Sequence, residues 1–84
     1  MNLPELKPIE SSKIKAVGYD LKERALFCQF KSDCSIWRYA PVSKEEFEDM
    51  MASESIGIAH GVLVRKLKRV NQLVQVDNHW EIKD

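Results

Sequence analysis

Eighty-four residues suffice for one domain with a single core and leave little room for an enclosed catalytic cleft as well. Thirteen basic side chains balance thirteen acidic ones, so the chain lacks the overall positive charge of a dedicated nucleic-acid binder. Two cysteines make no disulfide framework and no run approaches the ~20 apolar residues of a membrane span, which predicts a cytoplasmic protein with reduced thiols and no membrane contact.

Residues 1–9 read as an irregular lead-in, because Pro4 and Pro8 remove backbone donors and hold their neighbours extended. Met1–Glu10 is charged and lacks the apolar stretch of a secretory signal. From Lys13 to Asp20 the pattern has strand period, with Val17 and Tyr19 on one face and Ile14 and Ala16 on the other. Gly18 within it marks a bulge or a close backbone approach. Asp20–Arg24 is polar and reads as a loop. Ala25–Lys31 is the clearest strand: Leu26, Cys28 and Phe30 alternate with Phe27, Gln29 and Lys31. After a turn at Ser32–Cys34, Ser35–Ala40 is a third strand, with Trp37 and Tyr39 opposite Ile36 and Arg38. Three strands with short polar connections predict an antiparallel meander.

Pro41 stops the sheet. Ser43-x-x-Glu46 is a capping box, and Glu45, Glu46 and Glu48 follow where the helix dipole favours them. Phe47, Met50 and Met51 then form one apolar stripe, so this helix covers a sheet face. Ser53–Gly57 reads as a loop. A second helix begins at Ile58, with Ala59, Leu63, Leu67 and Val70 at spacings of four, four and three; Gly61 inside it costs about 1 kcal/mol relative to Ala. The tail fits either element: Val74, Val76, Trp80 and Ile82 alternate as in a strand, whereas Leu73, Val76 and Trp80 fit a helix. The fold class is therefore α+β, a three-stranded antiparallel meander packed against two helices, with residues 71–84 an added strand or helix.

Taken in order, Ser11-Ser12-x-Ile14, Val17-Gly18-Tyr19-Asp20, Leu26–Phe30, an aromatic-x-aromatic triplet and Ala52-x-x-Ser55-x-Gly57 resemble the KTSC domain. That family is named after the C-terminus of some lysyl-tRNA synthetases and includes free-standing small bacterial proteins. The resemblance spans residues 10–70 and leaves 71–84 outside. The family's Tyr-x-Tyr triplet stands here as Trp37-Arg38-Tyr39, which together with Gly57 makes up the motif positions. Cys34 falls where the family has a turn glycine, Gly61 near an asparagine and Leu67 near a late aromatic residue. The resemblance implies no established activity, and the attachment to a tRNA synthetase suggests RNA binding.

No pair among Cys28, Cys34, His60 and His79 has metal-ligand spacing, and no local group activates a Cys or Ser nucleophile, so neither metal, cofactor nor enzyme is expected. Cys28 on a strand face reads as a small buried hydrophobe. Trp37 and Tyr39 either stack nucleic-acid bases or pack beneath the Phe47 helix. The opposite face, with Phe27, Gln29, Lys31, Ile36 and Arg38, is either a binding surface or a solvated sheet face. Arg65, Lys66, Lys68 and Arg69 fall within about one and a half turns of the second helix, and with Arg38 they make a basic surface for a phosphate backbone. Two functions follow from these features. One is a small non-enzymatic domain that binds RNA weakly through this basic face. The other is a protein-interaction or homo-oligomeric module, in which the apolar tail makes the contact with a partner or a second copy.

Overall fold

The structure, a computed structural model, describes residues 3–65, 69–76 and 79–83. In chain order the elements are β1 (Lys7–Pro8), β2 (Ile14–Asp20), β3 (Ala25–Phe30), β4 (Ile36–Ala40), α1 (Lys44–Ala52), α2 (Ile56–Val64), β5 (Arg69–Val76) and β6 (His79–Ile82). Among the described residues the strands form one antiparallel sheet of six, each beside its sequence neighbour. The fold is α+β with two helices, and the expected three-stranded meander is its centre rather than its whole.

The central hairpins follow from the sequence. β2 pairs with β3 from Asp20↔Ala25 to Ile14↔Phe30, and β3 pairs with β4 from Leu26↔Tyr39 to Gln29↔Ile36. The faces of β2 differ from strict alternation. Its register shifts between Ile14 and Ala16, so Ile14 rejoins the face of Val17 and Tyr19. The irregularity sits at Lys15 rather than at Gly18. Gly18 serves a close approach instead: a Cβ there would lie 2.8 Å from both the Glu5 carbonyl oxygen and Leu6 Cδ2. The lead-in thereby lies against β2, and Pro8 is accommodated because β1 is an edge strand.

α1 starts as its sequence dictates. Ser43 Oγ accepts from the Glu46 amide at 3.1 Å, and Glu46 Oε1 accepts from the Ser43 amide at 3.0 Å. Phe47 stacks on Tyr19 with ring centroids 4.8 Å apart, and the Tyr19 hydroxyl donates to the Val42 carbonyl. Ile14, Val17, Leu26, Cys28, Tyr39, Val42, Met50 and Leu63 form the main core between sheet and helices.

The second half departs from expectation. α2 ends at Val64 and the chain is already a strand at Arg69, so Val70 belongs to β5 and not to a helix; Leu67 lies outside the described residues. β5 pairs along the whole of β4, from Ile36↔Leu73 to Ala40↔Arg69, and β6 pairs with β5. The physical reason is the open edge of β4, whose backbone donors and acceptors need partners. Of the two readings of the tail, the strand holds among the described residues, where β5 and β6 extend the sheet. The face opposite the helices is partly covered, with Gln29 and Arg38 half-buried. Ala25, Phe27, Ile36, Ala40 and Leu73 form a second core there, covered by Leu3 and Leu6 of the lead-in and by Trp80.

Candidate functional site

Arg65 and Arg69 do not share a helix. Arg65 is the exposed C-terminal cap of α2, whereas Arg69 opens β5 and pairs with Ala40. Lys66 and Lys68 lie outside the described residues. Arg38 is half-buried, opposite Phe27 and Asn71, and alternates with Trp37 and Tyr39, which pack on the helix side. It therefore lies on the face turned away from α2 and does not join Arg65.

The aromatic triplet is mostly core. Tyr39 is 3% exposed, and Trp37 is half-buried with its indole N–H donating to Ser35 Oγ at 3.1 Å. Of the two readings of these rings, core packing holds at Tyr39, which sits beneath His60. The two rings meet edge to face at 4.9 Å, and Phe30 flanks the same imidazole at 5.7 Å. His60 is 4% exposed, and neither ring nitrogen has a hydrogen-bond partner among the described residues. Burial, helped by the Lys13 charge, pushes its pKa down to about 4, so it is neutral at pH 7. Cys28 is buried, and its thiol is pushed up to about 12 by that burial. Cys34 is exposed in the β3–β4 turn. A buried thiol held protonated and a neutral imidazole among rings make a packed interior, not an activated nucleophile. Among the described residues no three potential ligands cluster for a metal.

Two of the motif segments do converge. Ser11 Oγ accepts from the amides of Lys13 and Ile14, fixing the entry to β2. Ser55 caps α2 by accepting from the Ile58 amide. Gly57 then brings the first turn of α2 onto that entry: a Cβ there would meet Ser11 Oγ at 3.3 Å and Lys13 Cε at 3.4 Å. The motif residues are thus the joint between α2 and the sheet.

This joint opens into a groove of about 610 Å³, which Glu10–Lys13 flank on one side and Glu54–Ile58, Gly61, Val62 and Arg65 on the other. Its rim carries both signs of charge, Glu10 and Glu54 with Lys13 and Arg65. Its α2 wall is apolar. α2 contains no charged residue, and Ile58 and Val62 are 71% and 50% exposed. A helix apolar on every side normally lies inside a protein. This one buries Leu63 and His60 against the sheet and leaves Ile58 and Val62 uncovered. Sequence reasoning passed over these two, because the Ala59–Leu63 stripe accounted for a helix by itself. The signal was the absence of any polar face in Ile56–Val64.

Known proteins share the fold that carries this groove. The KTSC domain family model matches residues 10–63, which is β2 through most of α2. A protein from Tsukamurella paurometabola is 35% identical over 66 residues, covering 77% of this chain and 97% of that one. The crystal structure of a KTSC domain protein from Yersinia pestis superposes with a TM-score of 0.75 at 27% identity, over 83% of this chain and 97% of that one.

Proposed function

The chain belongs to the KTSC domain family, and we propose that it is a non-enzymatic interaction module whose α2 groove binds another polypeptide. The observation that carries this reading is the uncharged α2, with Ile58 and Val62 uncovered beside a groove of mixed charge. Apolar side chains grouped on one helix face and rimmed by both signs of charge suit a protein surface. A phosphate backbone calls for a contiguous basic face, whereas Arg38 and Arg65 point to opposite sides of the sheet. The buried Tyr39 and neutral His60 support a scaffold without chemistry of its own.

The test is photo-crosslinking in cells, with a photoreactive residue at position 58 and, as a control, at exposed Leu21 in the β2–β3 loop. Protein adducts at position 58 and none at position 21 support the reading. Nuclease-sensitive adducts at position 58 would instead favour RNA binding, and no adduct at all would overturn the groove as a binding surface.

A further inference from the structure

The groove-lining stripe of α2 has an internal symmetry that narrows its occupant. Ile58, Gly61 and Arg65 recur at spacings of three and four along one side of α2, and Glu54, just ahead of the Ser55 cap, lines the same groove. The pairs Glu54 with Arg65 and Ile58 with Gly61 are centred on the same point, between Ala59 and His60. An antiparallel copy of the helix placed there meets its own complement. Glu54 of each faces Arg65 of the other at both ends, and Ile58 of each faces Gly61 of the other. Gly61 is open for this contact, because a Cβ built on it has nothing within 4 Å. Neither Glu54 nor Arg65 takes part in an ion pair with another described residue. Antiparallel helices also set opposite dipole ends beside one another.

We infer that the groove is occupied by α2 of a second copy of this chain, in a twofold, isologous contact that rests on the interaction reading above. Val62 lies beside the stripe and closes it toward α1, lining the neighbouring crevice with Met50, Ala59 and Leu63. One helix pair makes a small interface, so association is weak and concentration-dependent.

Sedimentation equilibrium of the purified full chain from about 1 μM to about 1 mM tests this. The wild type is expected to pass from monomer to dimer across that range. Ile58→Asp should remain monomeric, and Arg65→Glu should raise the dimer Kd at least about tenfold. Adding Glu54→Arg to Arg65→Glu exchanges the charges and should restore the Kd to within about threefold. Circular dichroism confirms that each variant is folded, which the exposure of all three side chains favours. A wild type that stays monomeric throughout, or a dimer untouched by Ile58→Asp or by the charge exchange, overturns the inference. If the crosslink at position 58 captures a different protein while the purified chain is monomeric, the interaction reading stands and the second copy falls.

Discussion

Cys34 holds a left-handed backbone angle, φ 59°, in the turn that joins β3 to β4. Its amide donates to the Phe30 carbonyl at 3.0 Å, and the Phe30 amide donates to Ser35 at the same distance, so the turn geometry is fixed from both sides. An L-residue in this region costs about 1–2 kcal/mol, and glycine gives back part of that relief through the entropy of its unfolded chain. Cys34→Gly should therefore stabilise by about 0.5–1 kcal/mol in urea denaturation. Ser32→Gly, in the same turn without a positive φ, should lose stability, and equal effects from the two would remove the backbone explanation. His60 gives a second test at this scale. Its folded pKa lies below the value of about 6.5 that it has when unfolded, so the unfolded chain takes up the proton first. Its contribution is complete above pH 6.5, declines as the pH falls toward about 4, and then levels off. The full span amounts to about 3 kcal/mol. Replacing it by Phe removes this sensitivity along with two unpartnered buried nitrogens. The stability difference between His60→Phe and wild type should widen in favour of the variant from pH 7 to pH 4. A constant difference would mean that His60 is not the group that titrates.

At the scale of elements, legibility depended on whether one local rule decided the matter. α1 was legible because Ser43 and Glu46 satisfy each other's backbone partners, and nothing tertiary competes with that. Ser43→Ala should cost about 1 kcal/mol. Lys44→Ala, which breaks only the exposed 3.8 Å pair with Glu48, should change little. Denaturation midpoints that moved equally would show that the capping box is not what holds the helix start. The strands β2, β3 and β4 were legible from their alternation. The end of α2 was not, because Ala59, Leu63, Leu67 and Val70 keep helical spacing while Val70 belongs to β5. The second core was hidden for another reason: Phe27 and Ile36 alternate in sequence with residues of mixed polarity, and only Leu3, Leu6 and Trp80 arriving from both ends of the chain cover them. Of the groove, the Ser11, Ser55 and Gly57 joint was visible as motif. The exposure of Ile58 and Val62 was not, since it depends on which side of α2 meets the sheet.

At the scale of the molecule, the family match stops at residue 63 while the sheet continues through two more strands. The match describes the joint of α2 with the centre of the sheet, and the remaining strands finish the structure that holds it. β5 pairs with β4 from Ile36 to Ala40, and Leu73, 3% exposed, completes the second core. Trp80 on β6 packs on that same core. Deleting residues 71–84 removes both side chains, takes three of the five β4–β5 pairs and uncovers Phe27 and Ile36. Losing a buried Leu alone costs about 2–5 kcal/mol, and a domain of this size holds only about 5–10 kcal/mol in all. The truncated chain should therefore be unfolded, with no cooperative urea transition and no dispersion in its amide proton spectrum. Restoring residues 71–76 alone should return β5 and Leu73 and leave a weakened fold without the cover of Trp80. A cooperative, dispersed product from the shorter truncation would show that β1–β4 and the two helices form the domain and that β5 and β6 are an addition to it.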